Sequence, residues 1–206
     1  MLGFAEGSAE MRALLGNKGA NLAEMVHVLG EDRVPGGFTI TTAACTAYRE
    51  GGEMPDGLEA QIEQALKALE SESGRRLGDP VDPLLVSVRS GAPVSMPGML
   101  DSVLNLGLNE AAVEGLAERS GDPHMAWDSR RRLIQMFSEV VRGVDAMAFE
   151  DALVEARHVS GVEVDSDLDQ AALKALAGRY LEIFRQQTGE DFPEDPHTQL
   201  VQAVRA

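Results

Sequence analysis

Cysteine is almost absent: Cys45 stands alone among 206 residues, so the chain cannot close an internal disulfide. Cations are also in short supply. Eighteen Lys and Arg face 34 Asp and Glu, and the resulting formal charge of -16 gives no basic face of the kind that nucleic acid or an anionic membrane selects. No apolar run approaches the roughly 20 residues that span a bilayer. The opening Met1-Leu2-Gly3-Phe4-Ala5-Glu6-Gly7 lacks a basic segment and an apolar signal core, so the cytoplasm is the expected compartment. Internal repeats and low-complexity tracts are missing too. A small anion such as ATP is not excluded by the acidic surface, because salt screens exposed charges beyond roughly 8–10 Å and a few nearby cations outweigh distant carboxylates.

What is present suits one ordinary domain or two small ones: 44% hydrophobic residues supply a core, and nine prolines and 21 glycines are too few for a collagenous or disordered chain. Leu22, Met25, Val26 and Leu29 recur at helical spacing, predicting a helix that starts after Gly16-Asn17-Lys18-Gly19 with this stripe buried and Gly30 closing it. Phe38-Thr39-Ile40 is β-prone, and Thr41 or Thr42 caps a short helix ending at Gly51-Gly52. Leu58, Ile62, Ala65, Leu66 and Leu69 mark a second amphipathic helix. Leu84-Leu85-Val86-Ser87-Val88 reads as a buried strand delivering Arg89-Ser90-Gly91 at its C-terminal end, where α/β folds gather ligands.

From Asn109 onward the pattern is helix after helix: Asn109 caps one, Pro123 opens a long one carrying Leu133, Ile134, Phe137, Val140 and Val141, and another holds Phe149, Leu153 and Ala156. Asp167 is the expected cap of a helix bearing Leu173, Leu176, Tyr180, Ile183 and Phe184. A last apolar pattern, Leu200, Val201 and Val204, stops at Ala206 without a cap, so a continuation is expected.

Two segments suit phosphate chemistry. Val86-Ser87-Val88-Arg89-Ser90-Gly91 runs into Ala92-Pro93-Val94-Ser95-Met96-Pro97-Gly98-Met99-Leu100-Asp101-Ser102, joining a strand to a small-residue loop whose backbone approaches an anion closely. The Arg89 fork donates two parallel bonds to phosphate, each charge-assisted bond contributing about 1.5–3 kcal/mol. The competing reading ends a strand, pairs Arg89 with a surface carboxylate and leaves Met96-Pro97-Gly98-Met99 as a hydrophobic turn; spacing alone leaves both open. Gly16-Asn17-Lys18-Gly19-Ala20-Asn21 places a cation at a helix N-terminus, where free N–H groups and the dipole favour anions. It departs from the GxxxxGK[ST] phosphate loop, because Gly19 follows Lys18, and a solvated lysine in a helix-entry turn is its bland alternative.

Together these segments resemble the amino-terminal part of the pyruvate, phosphate dikinases. The likeness extends through Met11 to Met25, Gly37 to Thr42, Leu84 to Leu108, Asp128-Ser129, Arg131 to Phe137 and Phe192-Pro193, nearly end to end. It implies an α/β (α+β), helix-rich fold: an ATP-grasp amino-terminal subdomain over 1–108, a helical subdomain over 109–193 and the start of the returning ATP-grasp segment over 194–206. The activity implied is interconversion of ATP, phosphate and pyruvate with AMP, pyrophosphate and phosphoenolpyruvate, with Mg2+ accompanying the nucleotide. Lys18 and Arg89 then contact the ATP phosphates, with Arg89 serving catalysis by electrostatic stabilisation, and the Gly98 loop closes over them. Asp101 and Ser102 fall on the same motif, Asp101 also suiting a helix cap. Phosphoenolpyruvate synthase shares the architecture but not the loop Ser95 to Leu108, and a stand-alone nucleotide-binding or regulatory module without turnover is the alternative from another class.

The resemblance puts the metal ligands, the second ATP-grasp segment, the phosphohistidine domain and the pyruvate-binding barrel outside this chain, as partners in a homo-oligomeric enzyme, so that residues 1–206 are expected to be inactive alone. His27, His124, His158 and His197 have neither a carrier-histidine context nor metal-ligand spacing. Arg130 departs from the family's usual aromatic, and Pro93 from its basic or small residue. Arg130-Arg131-Arg132 reads as a docking or solvated helix face, Cys45 as a small core residue, and the methionines other than Met96 and Met99 as core packing.

Overall fold

The computed structural model describes residues 1–91 and 102–206, which form two compact units: 1–74 with 89–91, and 75–88 with 102–206. Among the described residues the chain is helix-rich with three small two-stranded sheets, a mixed α/β composition.

In the first unit β1 (Leu2–Gly3) runs antiparallel to β2 (Phe38–Thr39), with Leu2 opposite Thr39. Three helices accompany them: α1 (Arg12–Leu29), α2 (Thr42–Gly51) and α3 (Leu58–Ser73). Thr41 caps α2 by accepting from the Ala44 amide, and left-handed Gly52 ends it. Helix α3 buries Leu58, Ile62 and Leu66, as its spacing predicts. Helix α1 does not follow its predicted face. It buries Leu15, Gly19, Ala20, Ala23 and Val26, whereas Met25 and Leu29 are 46% and 44% exposed. Small residues let this helix approach its neighbours more closely than the bulkier stripe permits, and close approach wins. Cys45 is exposed, on a helix that buries no residue. No described methionine is buried, so core packing does not account for them.

The second unit holds six of the nine aromatic residues and is organised by them. Strand β3 (Arg76–Leu77) lies parallel to β4 (Pro83–Leu84), and β5 (Val86–Arg89) pairs with β6 (Ser102–Leu106). The expected buried strand over 84–88 is therefore split between two sheets and only half-buried: each sheet has two strands, so neither covers both faces. Helices α4 (Glu110–Ser120), α5 (Pro123–Arg142), α6 (Ala146–Ser160), α7 (Gln170–Thr188) and α8 (Pro196–Arg205) follow. The core of α5, Leu133, Ile134 and Phe137, is wholly buried; Phe192 meets Phe137 edge-on at 5.1 Å and Phe184 at 5.4 Å, and Phe149 meets Tyr180 at 4.8 Å.

Side-chain caps begin each of these five helices: Asn109, Asp122, Asp145, Asp169 and Asp195 accept from amides of the first turn. The α7 cap is thus Asp169, not Asp167, which sits in a separate 3-10 turn (Asp165–Asp167). Both aspartates precede the same apolar pattern, and tertiary packing selects between them.

The basic run is not a solvated face. Arg130 and Arg131 are 2% and 4% exposed, and only Arg132 points to solvent. Helical geometry turns successive residues by about 100°, so three adjacent charges cannot share one environment. Arg131 Nε donates to Asp128 at 2.9 Å, and Arg132 pairs with the other Asp128 oxygen at 2.7 Å. Burial lowers the Arg130 guanidinium from its ordinary value, and the Glu194 carboxylate opposes that shift.

Thr198 holds the Asp195 carboxyl below its ordinary value of 3.8 through side-chain and backbone hydrogen bonds. A depressed carboxylate stabilises the fold above its unfolded pKa and loses that contribution as pH falls through the lower folded value. Asp195→Ala is expected to cost about 1 kcal/mol at neutral pH, with the gap from the parent closing in acid below 3.8. Thermal unfolding of the 206-residue chain across pH checks both the size and the direction.

Candidate functional site

Gly16 breaks α1 from within: its φ of 68° and ψ of 173° are non-helical, so the helix restarts at Asn17 and Lys18 stands in its first turn. Gly19 has a different task. A Cβ there would lie 2.8 Å from Thr39 Oγ1 and 2.9 Å from Thr39 Cγ2, so the absence of a side chain lets the helix rest on β2. The two glycines of the Gly-Asn-Lys-Gly motif thus set, respectively, where the helix begins and how closely it packs. Lys18, between them, is half-buried, and its Nζ donates to the Ser90 carbonyl at 2.9 Å.

Arg89, the last residue of β5, is exposed and has no ion-pair partner among the described residues. Lys18 and Ser90, 72 residues apart in sequence, are brought into contact, and Arg89 is the neighbour of that contact. Ser102 opens β6, the strand paired with β5, and lies in the second unit. Gly98 and Asp101 lie outside the described residues. The helix that a cap at Asp101 would open is not formed: Ser102–Leu106 is strand.

The pairing of Lys18 with the Ser90 carbonyl was not legible in sequence, because every residue has a carbonyl. A cluster around Arg130 was also missed. The guanidinium donates through Nη1 to the Leu108 carbonyl at 2.7 Å, pairs through Nη2 with Glu194 and lies over the Phe192 ring at 5.3 Å. Gln199, wholly buried, accepts from the Gly107 amide at 3.0 Å and donates to the Pro193 carbonyl at 2.7 Å. The signals available were the replacement of an aromatic by Arg130 and a glutamine beside the apolar Leu200. Of the histidines, His27 bonds the Gly7 carbonyl at 2.7 Å, and His158 and His197 are exposed. Among the described residues no group of three or more His, Cys, Asp or Glu is arranged to hold a metal ion, and no helix is long and apolar enough to cross a membrane.

A family profile described as "Pyruvate phosphate dikinase, AMP/ATP-binding domain" matches residues 12–73. The pyruvate, phosphate dikinase of Clostridium symbiosum is 49% identical over 205 residues, 98% of this chain and 23% of the relative. That of Rhizobium meliloti is also 49% identical, covering 99% of this chain and 23% of the relative. Chloroplastic pyruvate, phosphate dikinase 1 of Zea mays is 48% identical, with 99% of this chain and 21% of the relative aligned.

The chain belongs to the pyruvate, phosphate dikinase family.

It spans less than a quarter of the length of these dikinases: 23%, 23% and 21%. The profile match to the dikinase AMP/ATP-binding domain takes in Lys18 and the two glycines around it, and stops before Arg89. Gly19→Ala is expected to destabilise the chain by about 1–3 kcal/mol through overpacking against Thr39, and adding Thr39→Ala, which removes both obstructing atoms, should recover most of the loss. Urea titration of the two single variants and the double variant measures that coupling.

Proposed function

We propose that this chain builds one side of an ATP phosphate site: the amino-terminal ATP-grasp subdomain over 1–108, interrupted by a helical subdomain over 109–193 and resuming at 194–206. The enzyme concerned is the dikinase that converts ATP, phosphate and pyruvate to AMP, pyrophosphate and phosphoenolpyruvate, a phosphotransferase working in the cytoplasm. The observation that supports the reading is that Lys18 meets the residue that directly follows Arg89 in the chain. Lys18 is tethered to the Ser90 carbonyl at 2.9 Å, next to an exposed Arg89 without a described ion-pair partner.

In this reading an ammonium provides a compact charge and the arginine a planar two-pronged donor, the combination that stabilises a polyphosphate as charge shifts between its oxygens. Lys18 has three N–H donors and spends one on Ser90, leaving two for phosphate. Arg89 contacts phosphate and serves catalysis, while Gly98, Asp101 and Ser102 belong to the loop that covers the nucleotide. Mg2+ accompanies ATP, with its ligands assigned to the remainder of the polypeptide. The phosphohistidine domain, the second ATP-grasp segment and the pyruvate-binding barrel complete the homo-oligomeric enzyme.

The loop Ser95 to Leu108 favours this reaction over that of phosphoenolpyruvate synthase.

In the full-length enzyme Arg89→Ala is expected to slow the ATP-dependent half-reaction by about 10²–10³-fold while sparing phosphoryl exchange between phosphoenolpyruvate and the carrier histidine. Equal loss in both halves would count against a phosphate role. For residues 1–206 alone, weak ATP binding and no turnover are expected, and calorimetry giving micromolar, Mg2+-dependent affinity would refute the assignment of essential contacts elsewhere.

A further inference from the structure

Residues 1–74 and 89–91 belong to one compact unit although residues 75–88 between them lie in the other, so within the first unit 89–91 are held to 1–74 by non-covalent contacts. One of these contacts is the bond from Lys18 Nζ to the Ser90 carbonyl, 2.9 Å long. Its donor stands on fixed ground. The positive φ of 68° at Gly16 restarts the helix just before Lys18, Gly19 rests on Thr39, and Ala20 and Ala23 are wholly buried, so small residues pack down the turn that carries the lysine.

The acceptor is unusual for a chain of net charge -16. Lys67 and Lys174 pair with glutamates, whereas Lys18 forms no ion pair among the described residues and is held by a neutral carbonyl. A carboxylate in that place would oppose the ammonium's charge and repel an incoming anion; a carbonyl fixes the ammonium and leaves its charge whole.

The hold reaches Arg89 through the backbone. A trans peptide is planar and sets consecutive Cα atoms about 3.8 Å apart, so tying down the carbonyl of Ser90 confines the residue before it. Arg89 and Ser90 are both exposed, which leaves burial little part in fixing them and gives directed bonds the larger one.

We propose that Lys18 is a positioning residue as well as a phosphate donor: by tying the Ser90 carbonyl to the restarted turn of α1, it sets where the backbone carries Arg89. This inference rests on the phosphate role proposed for Arg89, while the tie itself is measurable without nucleotide.

Trypsin cuts the Arg89–Ser90 bond only when that segment opens enough to enter the protease. In the 206-residue chain Lys18→Met, which keeps an apolar stem, should speed this cleavage by about 3- to 10-fold, the share of one exposed charge-assisted bond in a local opening. Cleavage after Arg179 in α7 should not change, and Lys18→Arg, which keeps a donor, should restore most of the protection. A parental rate in Lys18→Met, equal acceleration at both sites, or an arginine variant no better than methionine overturns the tie. If Lys18→Met loses its far-UV circular dichroism, Lys18→Gln, whose shorter side chain falls short of the carbonyl, decides by the same cleavage rates at Arg89 and Arg179.

In the full-length enzyme a double-mutant cycle reads the positioning role. The loss of ATP-dependent kcat caused by Lys18→Met should be at least about tenfold smaller in an Arg89→Ala background than in the parent, because a displacement of one ångström costs about 10²-fold in rate. Losses that simply multiply overturn the role. An Arg89→Ala enzyme with normal ATP chemistry would fell the phosphate reading and leave the tie to the proteolysis, whereas impairment there beside parental cleavage in Lys18→Met would fell the tie alone.

Discussion

A guanidinium that is 2% exposed keeps its charge only if protein groups replace the water it has lost, and the second unit is arranged around meeting that requirement for Arg130. The Leu108 carbonyl, the Glu194 carboxylate and the face of Phe192 each satisfy part of the cation. These groups come from the end of a strand and from the segment between α7 and α8, so satisfying one side chain joins three stretches of chain. Phe192 then serves twice, under the cation and edge-on to Phe137 and Phe184, which ties the polar cluster to the aromatic core. The neighbouring Arg131 is treated differently, paired with Asp128 on its own helix.

The first unit relies on the opposite device. Its main helix gains contact by omission, with glycine and alanine where larger side chains would hold it away from β2. The same glycines place a lysine in the first turn of a restarted helix, within reach of a carbonyl 72 residues away. Close packing and the presentation of a cation are therefore one feature of the backbone, and this is why the motif spaces its glycines around the lysine.

Much of the fold was legible from residues 1–206 as a string. The presence of helices α2 to α6, the Thr41 and Asn109 caps and the proline start of α5 follow from local rules, because a cap and its first turn are within a few residues of each other. The family was legible as well, since the motifs around Lys18 and Arg89 extend over long uninterrupted stretches. Less was legible where two local solutions compete: Asp167 and Asp169 both suit the start of α7, and the apolar stripe of α1 competes with a stripe of small residues. Strand β6 was missed because its five residues follow a loop motif and share its apolar character.

The sequence by itself determined most of the helices, the Thr41 and Asn109 caps, the two phosphate-suited motifs and the membership of the dikinase family, all of them consequences of near neighbours or of residue identity. Tertiary structure alone decided that Arg130 is buried rather than solvated, that Cys45 and the described methionines stay out of the core, and that Lys18 meets Ser90. The physical reason is separation along the chain. Glu194 is 64 residues from Arg130, and whether a charge is buried depends on what arrives from that distance to replace its water.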